Sequence, residues 1–85
     1  MGVESEEARE MKPTKKQRED LVKFYIRYNK GCIFSGKRLA RSIGEHFGIC
    51  VDPWMAADVL DYYSGCGIIR HIGFTNDGEA EYIVN

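Results

Sequence analysis

Asp52-Pro53-Trp54-Met55-Ala56-Ala57-Asp58-Val59-Leu60-Asp61-Tyr62-Tyr63-Ser64-Gly65-Cys66-Gly67 is the stretch that decides the fold. A carboxylate at Asp52 can accept hydrogen bonds from the first free amides of a helix, and Pro53 suits the first helical position, where no amide partner is needed. Ala56, Val59, Leu60 and Tyr63 recur at i, i+3, i+4 and i+7, the spacing of one buried helical face. Gly65 can take positive φ and is expected to close the helix. The opposite face carries Trp54, Met55, Ala57, Asp58 and Asp61. What that face touches is the functional question.

Working upstream, Ser35 caps a second helix over 36–47, with Leu39, Ala40, Ile43 and Phe47 as its apolar stripe and Lys37, Arg38 and Arg41 on or near its outer side. Gly48 ends it. Thr14-Lys15-Lys16-Gln17 fits a capping box, in which Thr14 caps and Gln17 reaches back. The helix it opens, over 15–29, places Leu21, Phe24, Tyr25 and Tyr28 on one face with Val22 and Ile26 beside them. Gly31 stops it, and the β-prone run Cys32-Ile33-Phe34 predicts a very short strand.

Downstream the period changes from helical to alternating. Residues 68–74 read as a strand, Thr75-Asn76-Asp77-Gly78 as a turn, and 79–84 as the returning strand of a hairpin. The expected class is α+β: three helices, a short strand after the first, and a C-terminal β-hairpin. Residues 1–13 are expected to form a flexible acidic arm and 14–85 the folded domain. Glu6 to Met11 could also begin a longer first helix, which Pro13 would interrupt.

At 85 residues the chain has room for one domain, which buries about 60–65% of its unfolded surface. Hydrophobic and charged fractions of 44% and 29% fit a soluble globular protein and exclude disorder. No apolar run reaches the length of a membrane span, and the start of the chain has neither the basic nor the apolar region of a secretory signal. A cytoplasmic protein with no membrane partner is therefore expected. Three widely spaced cysteines, Cys32, Cys50 and Cys66, are then reduced, partly buried thiols acting as small apolar residues. The net charge of −1 hides an asymmetry. Residues 11–47 carry ten bases and three acids, which is +7, and residues 48–85 carry one base and six acids, which is −5.

Several local details coincide in this order of elements. Ser35-x-x-x-Leu39-Ala40 opens the second helix, Ile49 sits in the following turn, and Val59-Leu60-x-x-Tyr63 lines the third helix. Gly67-Ile68-Ile69-Arg70 and Glu81-Tyr82-Ile83-Val84 begin and end the hairpin. Together they resemble the winged-helix branch of the helix-turn-helix superfamily over residues 14–84. The turn over 48–52 is slightly long for that pattern, which could rotate the third helix. The resemblance implies a third helix in the DNA major groove, with Trp54, Met55, Ala57, Asp58 and Asp61 facing the bases. It implies phosphate contacts from Ser35, Lys37, Arg38 and Arg41, and a wing offering Arg70, His71, Asn76 and Thr75. A small DNA-binding protein of the transcription-regulator kind is the expectation that follows.

The third helix sets a competing expectation. Base reading favours Arg, Lys, Asn and Gln, and this helix has none of them; it carries aspartates. Like charges ~6 Å apart at an effective dielectric of ~20 repel by roughly 2–3 kcal/mol before screening. A protein-interaction module, with Trp54 and Met55 as an anchor patch for a basic partner, is therefore the alternative. It requires that Trp54 not fold back into the core. Two further surfaces arise from the charge asymmetry. The basic first helix, with Lys15, Lys16, Arg18, Lys23, Arg27 and Lys30, could bind nucleic acid, and basic and acidic halves of two copies could pair. The oligomeric expectation is a monomer or weak homodimer.

No enzyme is expected. No nucleophile–base pair stands out, a domain of this size offers little cleft, and Asp58 and Asp61 read as solvated helix residues. Ser35-Gly36-Lys37 could hold one phosphate at a helix start. His46-x3-Cys50 and Cys66-x4-His71 supply zinc-type ligands, but a ~12-residue helix of ~18 Å separates the two pairs, so no metal or cofactor is expected.

Overall fold

The computed structural model describes residues 13–85; of the expected acidic arm over 1–13, and of any helix beginning at Glu6, all but Pro13 lies outside the described residues. The elements are α1 (Lys15–Tyr28), β1 (Ile33–Phe34), α2 (Gly36–Phe47), α3 (Pro53–Gly65), β2 (Ile69–Phe74) and β3 (Ala80–Val84). The strands form one antiparallel sheet in the order β1-β3-β2. The result is a small α+β domain with three helices against one side of the sheet.

Each helix start is fixed by the local chemistry of its cap. Thr14 Oγ1 accepts from the Gln17 amide at 3.1 Å while Gln17 Oε1 accepts from the Thr14 amide at 2.8 Å, satisfying two amides that a helix end leaves free. Asp52 Oδ1 accepts from the Trp54 amide at 3.0 Å, with Pro53 in the first helical position. Gly48 ends α2 at φ 67°. The end of α3 differs from expectation. Gly65 remains helical, and Gly67, at φ 81°, makes the left-handed turn into β2.

Ala56, Val59, Leu60 and Tyr63 of α3 are all buried, as are Leu39, Ala40 and Ile43 of α2. Ile26, Leu39, Ile43, Leu60, Ile69 and Val22 are the largest fully buried side chains. Gly36 lies where α2 meets α3; a Cβ there would sit 2.8 Å from the Pro53 carbonyl oxygen and 2.9 Å from Ala57 Cβ. The tight approach ties the start of α2 to the start of α3.

Two helices depart from the expected burial, α1 in its phase and α2 only at its end. In α1 the buried residues are Val22, Tyr25 and Ile26, with Leu21 partly buried, whereas Phe24 and Tyr28 are 59% and 75% exposed. The core takes the arc of Val22, Tyr25 and Ile26, and the Tyr25 hydroxyl meets Ser42 Oγ of α2 at 2.8 Å. The larger aromatic pair is left outside. Phe47, at the last turn of α2, is exposed because the helix runs past the edge of the core. All three cysteines are exposed, correcting the expectation of partly buried thiols.

Directly paired residues of neighbouring strands point to the same side of a sheet. Phe34↔Tyr82↔His71 and Ile69↔Val84 therefore share the side that faces the helices, and Ile33↔Ile83↔Arg70 share the other. A bulge at Ile72 shifts the register between His71 and Gly73. It returns Phe74, opposite Ala80, to the helix side. Among the described residues, no helix is long and apolar enough to cross a membrane.

Candidate binding face

The outward stripe of α3 is Trp54, Asp58, Asp61 and Tyr62, at i, i+4, i+7 and i+8. Trp54 is 81% exposed and Tyr62 62%. Trp54 does not fold back, because its position is set by the cap: Asp52 and Pro53 start the helix so that Ala56 and Val59 face inward, which turns Trp54 out. Met55 and Ala57, expected on this face, are half-buried. Met55 packs against the core and Ala57 lies against Gly36. The sequence reading missed Tyr62, whose signal was its i+8 spacing from Trp54.

The hairpin supplies a second wall. Pro53, Trp54 and Ala57 line a groove whose far side is Asp77, Gly78 and Glu79 of the hairpin tip, with Lys37 at its end. Farther along, the His71 ring lies 5.0 Å from that of Phe74 and 5.5 Å from that of Tyr82. Burial pushes the Tyr82 phenol above its ordinary value, and the Asp61 carboxylate adds to the push. The face thus alternates exposed rings with carboxylates. Arg70 is not part of it, since the register puts Arg70 on the opposite side of the sheet.

The start of α2, expected to hold a phosphate, is occupied by the protein's own groups. Ser35 Oγ accepts from the Arg38 amide at 3.2 Å, Glu79 Oε1 accepts from the Lys37 amide at 3.0 Å, and Lys37 Nζ lies 3.4 Å from Asp77 Oδ2. The turn is built to present these carboxylates. Thr75 Oγ1 accepts from the Asp77 and Glu79 amides at 3.2 and 3.1 Å, the Gly78 amide donates to the Thr75 carbonyl, and Gly78 takes φ 84°. An anionic ligand at this helix start would meet two carboxylates already placed there. Asn76, expected to reach a phosphate, is exposed at the tip beside them. Arg38 and Arg41 are exposed and have no carboxylate partner among the described residues. The structure therefore brings Ser35, Lys37, Arg38 and Arg41 together with the hairpin tip but separates them from Arg70.

Among the described residues, no three His, Cys, Asp or Glu side chains converge on a point where a metal ion could sit. His46 instead lies in edge-to-face contact with Tyr25 and Phe47 at the end of α2. Comparison with known protein families, with curated proteins and with solved structures found no match for this chain.

Proposed function

We propose that the chain is a winged-helix domain that serves as a protein-interaction module, binding a basic segment of a partner on the face formed by α3 and the hairpin. The observation that carries this reading is Trp54, 81% exposed on one stripe with Asp58 and Asp61 and at the mouth of a groove lined by Asp77 and Glu79 with Lys37 at its end. An exposed indole is a large apolar surface with a strong preference for cations over its ring. Asp58 and Asp61 on the same stripe add charge that attracts lysine and arginine and repels phosphate.

Trp54 is the chain's one tryptophan, so its fluorescence reports on this face directly. Titration with an oligo-arginine peptide at low salt is expected to shift the emission to the blue. The shift should weaken with added salt and be lost in Asp58→Asn/Asp61→Asn. An unchanged spectrum, or a shift that survives in that variant, would reject this reading.

One observation favours a second reading, binding to duplex DNA in the manner of a small transcription regulator. Arg38 and Arg41 on α2 are exposed and have no carboxylate partner among the described residues, which suits contacts to phosphates. Anisotropy of a labelled random duplex distinguishes the two. The DNA reading expects binding that falls steeply with salt and disappears in Arg38→Glu/Arg41→Glu.

A further inference from the structure

We infer that the basic partner of the α3 face is a second copy of this chain, which presents its own α1 face head to tail; this rests on the proposed reading of the α3 face. The outward side of α1 carries the other large aromatic patch. The Phe24 and Tyr28 rings stack with centroids 5.8 Å apart and planes 21° apart, over a shallow groove with Tyr63 at its floor and Lys23 and Arg27 on its walls. Residues 15–30 hold six bases and two acids, which is +4. The α3 cap and helix, 52–65, hold three acids and no base, which is −3. One contact between copies covers both exposed aromatic patches and compensates both charge excesses. The net charge of −1 leaves little overall repulsion between copies.

The placement of the two faces fits this occupant and forbids the same contact within one chain. Tyr63, under the α1 patch, is nine residues from Trp54, which is about 180° around a helix turning ~100° per residue. The faces are therefore on opposite sides of α3. In the contact, Arg27 of one copy approaches the Trp54 ring of the next, a cation–π pair, while Lys23, one turn from Arg27, meets Asp58, one turn from Trp54. The joined patches differ, so the association is heterologous and each added copy leaves one face of each kind open.

Sedimentation and light scattering on the full chain test this. At low salt the wild type is expected to form species larger than a monomer that grow with concentration and dissociate as salt is raised, with a blue shift of Trp54 emission on assembly. Phe24→Ser/Tyr28→Ser and Trp54→Ser each remove one face at exposed positions and are expected to be monomeric. Mixed one to one, they retain one good face each and should form a heterodimer that does not grow. Arg27→Glu is a second α1-face variant, expected to be monomeric as well, should the serine pair perturb the fold by circular dichroism. A wild type that stays monomeric at low salt overturns the inference, and so does a mixture that stays monomeric. Assembly that needs Trp54 but survives the α1 variants also overturns it, since that describes a symmetric dimer. A monomeric wild type that still binds oligo-arginine overturns only the second copy as partner. A monomeric wild type that binds no peptide overturns the reading of the α3 face with it.

Discussion

Removing the two hairpin carboxylates should convert the start of α2 into a phosphate site. In Asp77→Asn/Glu79→Ala, the Lys37 amide loses its acceptor at 3.0 Å and the Lys37 ammonium loses its partner at 3.4 Å. Loss of a charged acceptor at a helix start costs about 0.5–2 kcal/mol of stability; the exposed Lys37–Asp77 pair adds little to that. The gain for DNA is electrostatic. A carboxylate ~7 Å from a phosphate at an effective dielectric of ~20 repels it by roughly 2.4 kcal/mol. Screening at physiological ionic strength, with a Debye length of ~8 Å, leaves about 1 kcal/mol. Two carboxylates thus account for about 2 kcal/mol, or roughly 30-fold in affinity. The freed Lys37 adds one phosphate contact, which steepens the slope of log affinity against log salt by about 0.9. Anisotropy of a labelled random duplex over a salt series measures both quantities, and urea unfolding measures the stability loss. An affinity within about threefold of wild type and an unchanged slope would show that the carboxylates do not mask an anion site.

Gly36→Ala should destabilise the domain by about 1–3 kcal/mol in urea unfolding, because the added methyl meets the Pro53 carbonyl oxygen and Ala57 Cβ at under 3.0 Å; wild-type stability in this variant would mean that the α2–α3 approach is looser than described. The Tyr82 phenol, raised above the ordinary 10.0 by burial and then by Asp61, should ionise above pH 10.0 in a phenolate absorbance titration. Asp61→Asn should bring it down while burial still holds it above that value. The folded-state value is the higher one, so this contribution to stability is complete below pH 10.0 and is lost as pH rises through the raised value. A titration of Tyr82 that Asp61→Asn leaves in place would separate the two groups.

The fold was legible where short-range chemistry and periodicity agreed. Asp52, Pro53 and the Ala56/Val59/Leu60/Tyr63 stripe specify α3 without reference to the rest of the chain. The phase of α1 was not legible in the same way. Phe24 and Tyr28 at i, i+4 compete with Val22 and Ile26, and the choice between the arcs is made by tertiary partners, with Val22 and Ile26 fully buried and Tyr25 bonded to Ser42. Gly65 and Gly67 each satisfy the need for a helix-ending glycine, and only the path into β2 selects Gly67. At the candidate face, the exposed Trp54 and the aspartate stripe follow from the helix phase. The Glu79 cap on α2 could not be read, since it joins residues 42 positions apart. The separation of Arg70 from the α2 cations depends on sheet register, which a one-residue slip would reverse.

The sheet order β1-β3-β2 fixes when the domain can fold. β3, the last strand, is the central one, and both neighbours bond only to it. Ile33 and Ile83, which pair across β1 and β3, are fifty positions apart, whereas α2 and α3 are joined by a short turn and can meet early. Closing a long loop is slower than joining neighbours. The helical pair and the β2–β3 hairpin, each joining sequence neighbours, therefore form first, and the sheet closes late, when Ile33–Phe34 docks on the free edge of Ala80–Val84. Until then the β3 edge that takes β1 is unpaired. A partly folded chain whose hairpin has not yet taken β1 is the form most exposed to aggregation.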